Sequence, residues 1–150
     1  MSVEEALAEF AQASRDDLAR LLMAASRAVN DGTLAALDPD GTSGVRLAHV
    51  PVIAVLDAHG TRIGDIAERI GVTRQAAAQL VGDLEEAGVV ASAPDPVDRR
   101  ATRVVLTEHG AQFCEGATQI LRARERAWVE ARGAESLARL KADLRGLAGE

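Results

Sequence analysis

Between Gly60 and Gly110 the chain carries two short amphipathic segments, a tight break and a charged hairpin, and this order constrains the fold more than any other feature. Ile63, Ile66 and Ile70 recur on one helical face, and Gly71-Val72 interrupts that helix. Thr73 is placed to cap a second helix by accepting a backbone N–H. That helix would bury Ala77, Leu80, Val81 and Leu84, at positions i, i+3, i+4 and i+7. Gly88 can end it in the left-handed conformation. Val89 to Ala93 reads as a short strand, Pro94-Asp95-Pro96-Val97-Asp98-Arg99 as a polar tip, and Ala101 to Leu106 as the returning strand. Two short helices followed directly by a hairpin make a winged helix-turn-helix.

The flanks read as helices. Val3 to Val29 is one helical block, with Leu18, Leu21, Leu22, Ala25 and Val29 at helical spacing and Asn30 and Gly32 as its stop. A loop through Asp38-Pro39-Asp40-Gly41 follows. Arg46 to Ala58 reads as the next helix, with Pro51 acceptable only in its first turn. Thr107 can cap a long helix to about Arg132, whose stripe includes Phe113, Ala117, Ile120, Leu121 and Trp128. After Gly133, a last helix presents Leu137, Leu140, Leu144 and Leu147 on one face. The expected fold is mainly α with a small β-hairpin. One domain over 1–150 would hold a winged helix-turn-helix at 45–107, with dimerisation helices at 1–30 and 108–150.

Composition sets limits on function. Aromatic residues are 2% of the chain and Tyr is absent, so the core must be built from Leu, Val, Ile and Ala. The formal net charge of −6 argues against nucleic acid when taken alone. Local placement of the 17 Lys and Arg residues decides the matter instead. A single cysteine, Cys114, forms no internal disulfide. No apolar run is long enough to span a membrane, and MSVEEALAEF lacks the basic start and apolar stretch of a signal peptide. The expected location is the cytoplasm.

With Ala77, Leu80, Val81 and Leu84 inward, the second short helix shows Arg74, Gln75, Ala78, Gln79 and Gly82 outward. Gln75 and Gln79 stand one turn apart, and a Gln can bond adenine at two points in the major groove. Ala78 could touch a thymine methyl, while Thr73, Arg74 and the helix's free N–H groups could reach phosphate. Gly82 costs roughly 1 kcal/mol against Ala in a helix interior, which hints at a steric reason for it. A solvated polar face would look similar, but the hairpin tilts the reading towards DNA. The hairpin holds Asp98, Arg99, Arg100 and Arg103, and its three arginines put a local positive patch at the tip, where a narrow minor groove attracts inserted Arg. Asp98 and Arg100 are an i, i+2 pair, so the carboxylate could hold the guanidinium by a charge-assisted hydrogen bond. Charge that merely keeps an edge hairpin soluble is the alternative.

The run GTRIGDIAERIGVTRQAAAQLVGDLEEAGVVASAPDPVDRRATRVVLTEHG resembles the multiple antibiotic resistance regulator (MarR) family. The most specific part is DPVDRRATRVVLTEHG, with Asp98, Arg100, Leu106, Thr107 and Gly110 at the family's motif positions. LAHVPVIAVLDAHG is similar to the helix that precedes the reader pair. The resemblance implies a transcriptional regulator, in many cases a repressor, that binds pseudo-palindromic DNA as a homodimer. It also implies dimerisation through the terminal helices and, as in many members, release from DNA by a small, often aromatic, molecule. One departure stands out: Val90-Ala91-Ser92-Ala93 lacks the basic residue usual before the wing tip, which predicts modest affinity.

Val3, Leu7, Phe10, Trp128, Leu137, Leu140, Leu144 and Leu147 are the candidate dimer surface, because a small reader domain has nothing to cover that stripe. Met23, Arg46, His49, Val52, Ile53 and Phe113 meet at the junction of reader and dimer helices and are the candidate effector pocket. His49 reads first as a packed polar residue and otherwise as a ligand contact; His109 reads as a surface residue. His49, His59 and His109 form no metal spacing with Cys114 or nearby carboxylates. Cys114 without a basic neighbour makes a poor reactive thiolate. No Ser-His-Asp order, glycine-rich phosphate loop or zinc motif is present, so neither an enzyme nor a cofactor is expected. A winged-helix interaction module without DNA binding is the competing function, and it has no need of the arginine-rich wing.

Overall fold

The computed structural model describes residues 1–96, 98 and 101–149. Helices α1 (Val3–Ala13) and α2 (Leu18–Leu37) lead into a 3-10 turn at Leu47–His49 that continues as α3 (Val50–Ala54). Then come β1 (Thr61–Arg62), α4 (Ile63–Ile70), α5 (Arg74–Glu86), β2 (Val90–Pro94) and β3 (Thr102–Leu106). Helices α6 (Glu108–Arg132) and α7 (Ala134–Ala148) close the order. The fold is mainly helical with one small antiparallel sheet of strand order β1-β3-β2.

The buried core lies entirely between Val45 and Val104. Ile66 and Ala67 of α4, Ala77, Val81 and Leu84 of α5, and Val89, Val90 and Val104 of the hairpin close on Val45 and Val52. Ile63, Ile70 and Leu80 pack at its margin, as their helical spacing requires. Thr73 Oγ1 accepts from the Ala76 N–H at 3.2 Å, capping α5. Gly88, at φ 70°, ends that helix in the region Gly enters without a Cβ penalty. Thr107 caps α6 by accepting from the Gly110 N–H at 2.9 Å. Gly110 itself has a packing reason, since a Cβ there would sit 2.0 Å from the Val89 carbonyl oxygen. The start of α6 is thereby pressed against the start of β2.

Several expected boundaries differ. The first helical block is two helices, because Ser14 ends α1 and Asp17 caps α2 through the Arg20 N–H at 3.2 Å. Asn30 and Gly32 do not stop α2, which runs on to Leu37. Arg124 of α6 crosses it there, donating to the Val29 carbonyl at 2.6 Å and to Thr33 Oγ1 at 2.9 Å. A Cβ on Gly32 would lie 3.0 Å from the Arg124 guanidinium, so the glycine makes room for the crossing rather than breaking the helix. Tertiary packing outweighs helix propensity here. The helix expected over 46–58 is much shorter, since Val55 and Leu56 already leave α-geometry for the turn that reaches Gly60. Pro51 does sit in the first turn of α3. Strand β1 has no counterpart in the sequence reading; two residues are too few to show a period.

Candidate nucleic-acid interface

The cap at Thr73 and the burial of Ala77, Val81 and Leu84 fix which way α5 faces. Thr73, Arg74, Gln75, Ala78 and Gln79 are all exposed on its other side. Gln79 is not a free amide. Its Nε2 donates to Asp83 Oδ1 at 2.9 Å. Asp83 Oδ2 in turn forms an ion pair with Arg46 and lies 3.4 Å from His49 Nε2. Hydrogen bonds from Gln79 and His49 and the nearby Arg46 charge hold the Asp83 carboxyl below its ordinary value, against the opposing effect of burial. At Gly82, an added Cβ would meet no atom of the described residues within 4 Å, so none of them demands a glycine.

The wing is organised by a residue that sequence reasoning treated only as part of the tip. In the register of β1 and β3, Arg62 stands directly opposite Arg103. Like charges so placed repel. The Asp95 carboxylate, with its side chain fully buried, resolves the conflict: its Oδ2 accepts from Nε of Arg62 and from Nε of Arg103, each at 2.8 Å. Its Oδ1 accepts the Asp98 N–H at 3.2 Å. One carboxylate thus ties β1, β3 and the turn together. Arg103 is committed to this contact, with 26% of its side chain exposed. Arg99 and Arg100 lie outside the described residues, and with them the expected Asp98–Arg100 pair.

The candidate effector residues do not gather at one place. Ile53 and Phe113 line a cavity of about 300 Å³ between α2, α3 and α6, with Thr33, Leu37, Ala117 and Leu121. Met23 lines a neighbouring groove that shares Asn30 and Val50 with that cavity and includes Arg27. His49 and Val52 are fully buried and line neither, while Arg46 faces Asp83. His49 is the packed polar residue of the first reading: its Nδ1 accepts the Arg46 N–H at 3.0 Å. Cys114 lines the cavity, and burial pushes its thiol up, away from a reactive thiolate. His59 and His109 are exposed.

On the flanking helices, Val3, Leu7 and Phe10 of α1 and Leu140, Leu144 and Leu147 of α7 are exposed. Leu137 and Trp128 are half-buried, and among the described residues the Trp128 Nε1 has no hydrogen-bond partner. Among the described residues no helix is long and apolar enough to cross a membrane, and no group of His, Cys, Asp and Glu could hold a metal ion.

Asp95, Arg62 and Asp83 were missed. The i, i+4 spacing of Gln79 and Asp83 was a usable signal for the last. The Arg62–Arg103 juxtaposition was not, because it depends on a register that only the fold supplies.

Comparison with known proteins gives this geometry a setting. A profile of the MarR family matches residues 43–101, the stretch that holds α3, α4, α5 and β2 and stops just short of β3. The transcriptional activatory protein BadR of Rhodopseudomonas palustris is 39% identical over 62 residues, which are 41% of this chain and 35% of BadR. The match thus spans about a third of that relative's length. The structure is similar to CouR from Rhodococcus jostii RHA1 bound to p-coumaroyl-CoA, with a TM-score of 0.67 and 26% identity over 89% of this chain and 92% of that one. It is also similar to the transcriptional repressor CouR bound to a 23-mer DNA duplex, with a TM-score of 0.70 and 25% identity over 89% of this chain and 93% of that one. With its winged core and capped outward-facing helix, the chain matches the MarR family over residues 43–101 and is similar in fold to winged-helix transcription regulators of that kind.

Proposed function

We propose that this DNA-binding regulator recognises a pseudo-palindromic operator as a homodimer, reading base edges with α5 and the adjoining backbone with the wing. The observation that carries the reading is the exposed row Thr73, Arg74, Gln75, Ala78 and Gln79 on a helix whose opposite face is locked into the core. The helix N-terminus and Arg74 supply phosphate contacts, Gln75 and Gln79 base contacts. The apolar faces of α1 and α7 support the dimer, since patches of this kind are rarely left in water. Two-fold symmetry would set half-sites roughly 10 base pairs apart, centre to centre.

The cavity between α2, α3 and α6 supports an effector site where the reader meets the flanking helices. Its mostly apolar wall, with polar groups from Asn30 and Thr33, suits an aromatic molecule. The groove that continues past Asn30 brings Arg27 within reach of an anionic extension, as a thioester such as the ligand of CouR would carry. Such a molecule would shift operator affinity by its differential binding to two spacings of the readers. Repression is the expected sign, although BadR carries an activator's name and CouR a repressor's.

Mobility shifts at a stated salt concentration, on DNA upstream of the protein's own gene, test the reading. Gln79→Ala should cost about 1–3 kcal/mol on the best site and relax one base position, while Arg74→Ala weakens all sequences alike. Uniform weakening by changes at both Gln75 and Gln79 would remove α5 as the reader. No shift at all would favour a protein-interaction module.

A further inference from the structure

We propose that Asp83 is a specificity-determining positioning residue, which fixes the side-chain amide of Gln79 so that its carbonyl faces the base. The proposal rests on α5 being the reader and deepens that assignment.

A free glutamine amide can turn over, exchanging donor and acceptor at little cost. It then presents either pattern to a base pair. A carboxylate removes that freedom, because both of its oxygens only accept. The Gln79 atom 2.9 Å from Asp83 Oδ1 must therefore be Nε2, leaving Oε1 and the second N–H directed away from Asp83. An acceptor beside one remaining donor is the pattern that pairs with adenine N6 and N7.

Asp83 is itself held from a different part of the chain. The Arg46 guanidinium pairs with Oδ2. His49 Nδ1 accepts the Arg46 N–H, so its ring proton belongs on Nε2, which faces the same Oδ2 at 3.4 Å. His49 is fully buried, and its ring cannot swing away. Without this arrangement an acid on the reader helix would only repel phosphate. Neutralised by Arg46 and aimed by His49, it has a role that bulk charge does not explain.

The two accounts predict different results for Asp83→Asn. Loss of a repulsive charge would raise affinity for every sequence alike. Loss of positioning would flatten preference at one base position, because an asparagine amide donates as well as accepts and leaves Gln79 free to turn. The full-length protein would be tested by selection from a randomised operator library, with melting followed in parallel. Asp83→Asn should lose on the order of tenfold discrimination at the position that Gln79→Ala also relaxes, and nowhere else. The effect should vanish when Asp83→Asn is made in the Gln79→Ala background. Arg46→Met should give a smaller loss at the same position, providing a second route should Asp83→Asn melt early. Uniform gain of affinity, or unchanged preference in Asp83→Asn and Arg46→Met while Gln79→Ala still relaxes one position, would overturn the positioning role alone. Unchanged preference in Gln79→Ala would remove Gln79 from the base contacts and overturn this proposal with it; unchanged preference in Gln75→Ala as well would overturn the reader assignment.

Discussion

The winged core and the flanking helices solve the burial problem in opposite ways. From Val45 to Val104 the chain finishes its own interior: Val52, Ile66, Ala77, Leu84, Val89 and Val104 are fully buried. Neither α1 nor α7 buries a single residue, and Phe10 and Leu147 remain 72% and 61% exposed. Both regions have amphipathic sequences. The difference is that the core helices are turned back on one another by Gly71, Gly88 and the hairpin, whereas α1 extends away and α7, packed on α6 by one face, leaves its leucines without cover among the described residues. An apolar stripe states only that cover is needed. It does not say which chain supplies it.

The largest expected effect would break the contrast at the flanks. Phe10→Asp with Leu144→Asp places charges on the open faces and should convert the proposed dimer to monomer by light scattering, with loss of operator binding, while the winged core keeps its helical circular dichroism. A double variant that stays dimeric would show that these faces are not the interface. Within the core, Leu84→Ala should cost about 2–5 kcal/mol, read as an early melting transition, because the cavity it leaves is enclosed on all sides.

Asp95→Asn sharpens the comparison at the wing, where a polar group rather than an apolar one is buried. It should destabilise by about 1–3 kcal/mol, less than a fully buried pair because Arg62 and Arg103 keep partial contact with water. It should also weaken operator binding despite removing a negative charge. Tighter binding would mean that bulk charge, and not the bracing of β1 and β3, governs the wing. The smallest effect belongs to Gly82→Ala, which should raise stability by about 0.5–1 kcal/mol since the space beside it is open. If the glycine serves close approach of α5 to DNA, the same variant binds its operator less well. Unchanged binding would leave the glycine without that role.

Much of the reader was legible without coordinates. A capping Thr73, an apolar set at 3.6-residue spacing and a terminating Gly88 determine α5 and which of its faces is outward, because helix periodicity and caps are local properties. The hairpin and the cap at Thr107 were equally local. Gly32 misled for the same reason: its local propensity says stop, and only Arg124, 92 positions later in the chain, explains why the helix continues. His49 could be read as packed or as ligand-facing until α5 was seen to lie against it. The joining of Arg62, Asp95 and Arg103, and of Arg46, His49 and Asp83, was decided by tertiary structure alone. Sequence determines which elements form and what faces they carry, since those follow from neighbours a few residues apart. Which distant charges share one carboxylate depends on strand register and helix packing, and these are set by the closing of the whole core.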